Sequence, residues 1–435
     1  MHKNIIRIKK EKSNYLIFSS EGMLLSLTRE EFEAFEKHGK KKKINPEYKE
    51  ILSRLASYGI LEFEDFKPDD ERKTYDLSLL RHNSSEPLYP APVLAHLSVT
   101  NKCNMSCEYC SVRELHCSNA EKELTTEQWK KIISGLAEWG VFQIGFTGGE
   151  PTLRKDLPEL ANHVHEKGCV FNLTTNGWLL DEKLVSKLAE SGMKQCQVSL
   201  DSHIKETHEK LRGKGSYERA IKSIRLLKDK GVAVGIDCVV SRNNIGSIPE
   251  FIKWIEKEGI PYLTLIKLKK GDLSREYYNY LMPDYHAYSR LIKDICCREK
   301  NKNPNITLDC GSVSNLQAVA DKNKFHNLPV AGCPLGHHLI CISPSGNIFS
   351  CAALLDKRLC LGNALKDDIK EVWENNSLLR EFRLIKQKIS GKCRNCERLD
   401  ICRGGCRGIS YSINNGLFGS DSTCKFQEVK NGNTG

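Results

Sequence analysis

The sequence predicts an α/β protein built on a partial (β/α)6, TIM-like barrel. A small N-terminal α+β, winged-helix-like domain precedes the barrel and a cysteine-rich C-terminal domain follows it. Three observations carry this reading. Between residues 92 and 300, six apolar stretches of strand length alternate with helix-length amphipathic segments, the pattern of parallel strands joined by right-handed crossovers. Short alternating stretches and two capped helical segments fill residues 1–66. Cysteines cluster at 103–110 and again from 333 onward, and clustered thiols in a reducing compartment read as metal ligands rather than disulfides.

The N-terminal domain comes first. "NIIRIKK", "NYLIFSS" and "MLLSLT" are short, partly alternating strand candidates separated by turn signals. "TREEFEAFEKHG" opens on a Thr cap, carries acids in its first turn and stops at Gly39. "NPEYKEILSRLASYG" repeats the design, with Pro46 in the first turn and Gly59 as the stop. "ILEFE" is expected to return as a strand or wing. Residues 67–91 are polar and proline-bearing and read as a linker.

In the barrel region, 92–300, the strand candidates are "VLAHLSV", "FQIGFTG", "VFNLTTN", "QCQVSLD", "VAVGIDCVV" and "YLTLIKL". Among the helices between them are "TTEQWKKIISGLAEWG", "LVSKLAESG", "SYERAIKSIRLLKDKG" and "IPEFIKWIEKEG". Active sites of such folds lie at the carboxyl ends of the strands. The unusual polar motifs fall there: "NKCNMSCEYC" after the first strand, "TGGEP" after the second, "TTNG" after the third and "SLDS" after the fourth. They therefore converge on one mouth.

Cys103, Cys107 and Cys110 are spaced C-x3-C-x2-C. Four thiols would close a zinc site or fill every corner of a four-iron cluster; three leave one position open. Gly148 and Gly149 lack side chains, so backbone carbonyls can approach a ligand, and with Glu150 they suit an ammonium group. Asn176, Ser199 and Asp201 can hydrogen-bond ribose hydroxyls and a carboxylate, and Tyr109 offers a face for a purine ring. Singly, each motif is also compatible with a zinc site or a structural strand-to-helix turn.

The last third, 301–435, holds the other clustered cysteines. They run Cys333-x12-Gly346-x4-Cys351, then Cys393-x2-Cys396-x5-Cys402-x3-Cys406, with Cys424 after 17 more residues. A pair of zinc ribbons is the plain reading of C-x2-C alone. Cys169, Cys196, Cys238, Cys296, Cys297, Cys360 and Cys117 are scattered and expected to be small buried hydrophobes.

Composition sets the outer bounds. The chain has 435 residues, enough for two or three domains, with 40% hydrophobic and 28% charged residues as in ordinary soluble proteins. It shows no signal-peptide or bilayer-length apolar run, so cytoplasmic localisation and no membrane partner are expected. The formal charge of +11 favours an acidic partner, a nucleic acid or an acidic peptide. Only "KHGKKKK" (37–43) forms a basic run, read as a solvated loop.

Taken together, the cysteine spacing and the "GGEP" loop over roughly residues 92–300 resemble the radical S-adenosylmethionine (SAM) superfamily. The resemblance implies a 4Fe–4S cluster on Cys103, Cys107 and Cys110 whose open iron chelates SAM and cleaves it to a 5′-deoxyadenosyl radical. It also implies a charged residue near the cofactor at Arg212, which otherwise reads as an exposed helix-end arginine.

The later cysteine string is similar to the SPASM extension, which implies two auxiliary 4Fe–4S clusters and three clusters in all. By that resemblance Cys333, Cys351 and Cys406 serve one cluster, and Cys393, Cys396, Cys402 and Cys424 the other. Some relatives have an extra cysteine before the Cys333 position, where this chain has Asn327 and its neighbours. The fourth ligand of the first auxiliary cluster is then Cys310 or absent; Cys341, in a predicted strand, reads as a buried thiol.

The N-terminal domain resembles the leader-recognition element of enzymes that mature ribosomally made peptides, which bind a leader by strand addition. The implied function is a peptide maturase forming an intramolecular thioether or carbon–carbon cross-link. Its partners would be a precursor peptide and a reductant such as flavodoxin or ferredoxin. Two alternatives are a sulfatase-type maturase making formylglycine from Cys or Ser, and a zinc-stabilised nucleic-acid-binding protein. Nucleic acid is the less expected partner, because no basic recognition helix is evident.

Overall fold

The computed structural model describes residues 5–11, 14–19, 24–38, 91–113, 122–298, 304–309, 311–312, 332–414 and 416–426. The second N-terminal helix, the "ILEFE" strand, the linker up to residue 90, the basic run from 39 to 43, Cys117, Cys310 and Asn327 lie outside the described residues. Packing divides the chain into two units, residues 1–78 with 323–327, and residues 79–322 with 328–435.

In the first unit, β1 (Ile5–Glu11), β2 (Asn14–Ser19) and β3 (Leu24–Thr28) form an antiparallel meander in the order β1-β2-β3. Helix α1 (Arg29–His38) follows directly, burying Phe32, Ala34 and Phe35.

The second unit is the partial barrel. Its chain order is β4 (Leu94–Thr100), α2 (Thr126–Trp139), β5 (Gln143–Gly148), α3 (Leu157–Glu166), β6 (Val170–Thr175), α4 (Glu182–Glu190) and β7 (Gln195–Ser199). Then come α5 (Lys205–Arg212), α6 (Ser216–Asp229), β8 (Ala233–Val240), α7 (Ile248–Lys257), β9 (Tyr262–Lys267), α8 (Arg275–Leu281) and α9 (Tyr285–Cys296). All six strands expected between 92 and 300 are present, and each pairs in parallel with the next.

The sheet is wider than six strands. β10 (Asn305–Leu308) adds in parallel to β9, and β11 (Leu339–Ile342) adds in parallel to β4 at the far side. β12 (Asn347–Phe349) and β13 (Gly362–Asn363) continue antiparallel, giving ten strands among the described residues in the order β10-β9-β8-β7-β6-β5-β4-β11-β12-β13. The cysteine-rich third thus supplies strands to both sides of the sheet. The physical reason is pairing: each short apolar strand satisfies backbone groups that β4 or β9 would otherwise leave open.

Local sequence explains the crossovers. In α2, Thr125 and Gln128 form a reciprocal capping box, and Gly140 ends the helix in the left-handed region at φ 116°. Trp129, Ile132, Ile133, Leu136 and Ala137 recur at helical spacing and are buried, each large side chain contributing about 1.5–3 kcal/mol. The strands bury Ala95, Leu97, Val99, Ile144, Leu173, Val198, Ile236 and Leu265.

Cys169, Cys196 and Cys238 are buried as expected, and Cys341 in β11 is fully buried. Three expectations are corrected: Cys297 and Cys360 are exposed and Cys296 is half-buried. Cys297 falls at the C-cap of α9, past the last buried turn. Cys360 ends a short 3-10 turn and donates its thiol hydrogen to the Gly362 carbonyl at 3.3 Å.

Candidate functional site

The loop after β4 carries the three thiols. Thr100 Oγ1 and the Asn101 N–H donate to Glu123 at 2.9 and 2.8 Å, fixing the start of the loop. Gly149 N–H donates to the Thr100 carbonyl and Glu150 N–H to the Lys102 carbonyl, both at 2.8 Å. This contact gives the glycines a packing role in addition to their place on the cavity wall. A Cβ on Gly149 would lie 2.1 Å from the Lys102 oxygen, and one on Gly148, at φ +135°, 2.4 Å from the Thr100 oxygen. The "GGE" turn is therefore the seat of the cysteine loop.

Cys103, Cys107 and Cys110 are half-buried and line one cavity of about 290 Å3 with Tyr109, Gly148, Gly149, Glu150, Asn176, Ser199 and Arg212. This cavity sits where β4, β5, β6, β7 and β8 end. Burial pushes all three thiols up, Cys107 to about 11, with Arg212 partly opposing the rise at Cys107. Ligation needs thiolates, so metal binding there is coupled to proton release. Three thiols on one short loop facing a common cavity fit a soft, multi-thiolate metal group.

Glu150 is 1% exposed, with burial raising its carboxyl above the ordinary range. Its Oε1 accepts from Thr152 N–H and Oγ1 and from Thr175 Oγ1, and its Oε2 from Asn176 N–H at 2.7 Å. Asn176 donates to Asn104 Oδ1 at 2.8 Å, tying the third strand end to the cysteine loop.

Asp201 lies off the cavity wall, whereas Arg212 is on it. Asp201 is fully buried and absent from the cavity wall, because its oxygens are already engaged. It accepts from Arg212 Nε at 2.6 Å, Arg212 Nη2 at 3.2 Å, Val239 N–H at 2.9 Å and the Tyr109 hydroxyl. Arg212 is not an exposed helix end: it is 8% exposed. Burial opposes its charge most strongly, but the Asp201 carboxylate together with Tyr109 and Cys107 outweighs it and holds Arg212 protonated. Its guanidinium lies 5.4 Å from the Tyr109 ring centroid. Tyr109 is therefore packed within this network by its hydroxyl and one face. Asp201 and Arg212 thus position the residue that separates Cys107 from Cys110.

Sequence reasoning missed several contributors. Asn244 donates to the Asp201 and Val239 carbonyls at 2.9 Å, and His208 Nδ1 accepts the Asp201 N–H at 3.2 Å. Lys267 lines the cavity and is 1% exposed. One signal was legible: Leu263, Leu265 and Lys267 alternate along β9, so a lysine occupies the buried row.

The later cysteines gather in two places. The Cys351 thiol, pushed up to about 12 chiefly by burial, also feels Cys406 and Cys333. Cys402 and Cys424 are both raised by burial and both feel Cys393. Arg398 feels Cys396, Cys402 and Cys424 together. Arg403 donates from Nε to the Cys333 carbonyl at 3.1 Å. Tyr278 lies near Cys406 and Asp421, which, after burial, raise its hydroxyl. Among the described residues, no three His, Cys, Asp or Glu side chains close around a single metal ion.

Comparison with known proteins places these features. Residues 97–255 match the Radical SAM superfamily and residues 333–397 the SPASM iron–sulfur cluster-binding domain. Mycofactocin maturase MftC of Mycolicibacterium smegmatis is 28% identical over 340 residues, covering 77% of this chain and 83% of MftC. Fe-coproporphyrin III synthase of Methanosarcina barkeri is 29% identical over 359 residues, covering 75% and 86%. Streptococcus suis SuiB has a TM-score of 0.69 at 20% identity, covering 98% of this chain and 99% of SuiB. SuiB bound to its precursor peptide SuiA is similar at 0.68. The match over 333–397 replaces the zinc alternative with an iron–sulfur one.

Proposed function

Since the chain belongs to the radical SAM superfamily and carries a SPASM extension, we propose that it is a peptide maturase that cross-links a ribosomally made precursor. The radical SAM domain binds a 4Fe–4S cluster and SAM, and the SPASM domain binds further iron–sulfur clusters. When bound, the first cluster with SAM supplies a 5′-deoxyadenosyl radical that abstracts a hydrogen atom from the substrate.

This chain's residues do the rest. Cys103, Cys107 and Cys110 hold the cluster; the Gly148–Glu150 turn seats their loop; Arg212 and Asp201 fix Tyr109 between the thiols. Cys333, Cys351 and Cys406, with Cys393, Cys396, Cys402 and Cys424, hold two auxiliary clusters able to take up the second electron that cross-linking releases. Cys310 is a candidate further ligand. Cys103, Cys107 and Cys110 form no disulfide, which fits a reducing cytoplasm. A flavodoxin or ferredoxin would supply the first electron.

The observation that carries the reading is the convergence of three thiols and the "GGE" turn on one cavity at the strand ends. The peptide substrate is supported by likeness over nearly the whole chain to SuiB, which is known bound to its precursor peptide SuiA, and by the β1-β2-β3 meander, whose outer strands can accept a leader strand. A thioether is favoured over a carbon–carbon link because an open auxiliary position can hold a substrate thiolate. The test is mass spectrometry of a candidate precursor after reaction and thiol alkylation. A peptide two hydrogens lighter with one cysteine resisting alkylation supports the thioether. A lighter peptide with every cysteine alkylated rejects it for a carbon–carbon link, or for formylglycine if a carbonyl reagent then reacts.

A further inference from the structure

A second cavity, of about 450 Å3, opens where β8 and β9 end, against α8, α9 and the 422–425 segment. It shares Lys267 with the cysteine cavity, so the two spaces adjoin. Arg242, Arg275, Lys267 and Lys425 stand on its wall, and no Asp or Glu is among the described residues lining it. Arg242, Arg275 and Lys425 are exposed and form no ion pair among the described residues. Deeper in, Lys267 is 1% exposed, donates to Thr423 Oγ1 at 2.8 Å and lies 5.5 Å from the Tyr288 ring centroid.

A separate observation points to a ligand. The Tyr278 hydroxyl is buried, with the residue 2% exposed, and has no hydrogen-bond partner among the described residues. A buried hydroxyl without a partner is unfavourable until an acceptor reaches it. Three exposed cations with no carboxylate on the wall, above an unmatched donor, call for an anionic acceptor. Met282 and Ile413 on the same wall favour an anion carried on a carbon stem over a fully hydrated phosphate.

We infer that this cavity is a carboxylate subsite on the substrate path. It takes an aspartate or glutamate side chain, or the C-terminal carboxylate, of the peptide, with Arg242, Arg275 and Lys425 at the mouth and Lys267 and Tyr278 within. The identity of the carrier rests on the peptide-maturase reading; the carboxylate chemistry rests on the cavity.

The test uses the anaerobically reconstituted full chain and fluorescence anisotropy. The probes are a fluorescein-labelled Gly-Glu-Tyr-Glu-Gly peptide and its glutamine counterpart, each with a free or amidated C-terminus, and coproporphyrin III with its tetramethyl ester. The glutamate peptide should bind about tenfold tighter than the amidated glutamine peptide. Comparing the free and amidated forms separates a side-chain source from a terminal one.

The double variant Arg242→Gln/Arg275→Gln should erase the preference, and Tyr278→Phe should reduce it. Each is assayed only after its iron–sulfur absorbance and melting midpoint match the parent. Lys131→Gln/Lys183→Gln, which removes the same net charge from exposed outer helices, should keep the preference. Equal binding of all the peptides, a preference retained without the two arginines, or no binding by any probe overturns the subsite. Equal peptide binding would leave the maturase reading standing. Arginine-dependent binding of coproporphyrin III alone, with the ester and peptides silent, keeps the carboxylate subsite and overturns the peptide as its carrier.

Discussion

Replacing Asp201 with asparagine should unsettle both the fold and the cysteine loop. The carboxylate is fully buried and takes four donors, two of them from Arg212 at 2.6 and 3.2 Å. Asparagine keeps the shape, removes the charge and turns an amide donor toward groups that are themselves donors. Arg212, 8% exposed, then becomes a buried cation without a counter-charge. Breaking a buried pair from one side costs about 3–5 kcal/mol, which for a chain this large lowers the melting midpoint by about 3–5 °C. Because Tyr109 lies between Cys107 and Cys110 and hangs its hydroxyl on Asp201, iron bound by that loop should fall as well. The assay is thermal and urea unfolding with iron counted per chain, on Asp201→Asn, Arg212→Met and the double variant. Removing both charges is nearly neutral in such pairs, so the double variant should be better than additive by about 2 kcal/mol or more. A midpoint drop under about 2 °C, or strict additivity, would refute the reasoning.

Further expectations concern the thiols, the turn, the N-terminal unit and pH. Replacing Cys103, Cys107 and Cys110 together with alanine should remove about four of about twelve irons and all 5′-deoxyadenosine formation; continued cleavage of SAM would reject the assignment. Gly149→Ala places a Cβ 2.1 Å from the Lys102 oxygen, so it should displace the loop and lower iron content, as iron analysis beside Gly168→Ala would show. Deleting residues 1–66 should spare reductive SAM cleavage and abolish modification of the full-length precursor; proline substitutions in the leader should weaken binding more than alanine ones. Burial holds His208 neutral down to about 4. Because this folded value lies below the ordinary 6.5, its contribution is complete above pH 6.5 and is lost as pH falls toward 4. That loss reaches about 2 kcal/mol by pH 5. His208→Asn should flatten the fall in stability between pH 7 and 5, and an unchanged slope would contradict this.

Much of the barrel could be read from residues alone because its signals are local. The six strands were periodic and apolar, and their polar motifs fell at the strand ends, so convergence followed from topology. What escaped notice was non-local. "NITL" is too short to register as a strand until β9 offers it a partner, and the strand expected at Cys341 gave no sign that it would pair with β4. Asp201 looked like a ligand-binding carboxylate because it follows a strand end. Only the fold shows Arg212, Tyr109 and Val239 closing on it. The glycines of the "GGE" turn were singled out for the ligand side alone; their contact with the Lys102 backbone was not legible, since it depends on the neighbouring β4 loop. Lys267 was the readable omission, a lysine in an otherwise apolar buried row.

The most direct test of the account is transfer of hydrogen from peptide to cofactor. A precursor peptide expressed in deuterated medium would be incubated with the reconstituted enzyme, unlabelled SAM and dithionite, and both products weighed. The account predicts one deuterium in the 5′-deoxyadenosine for each peptide that loses one carbon-bound deuterium together with, for a thioether, the solvent-exchanged hydrogen of one cysteine thiol. Unlabelled 5′-deoxyadenosine beside a peptide of unchanged mass would contradict it.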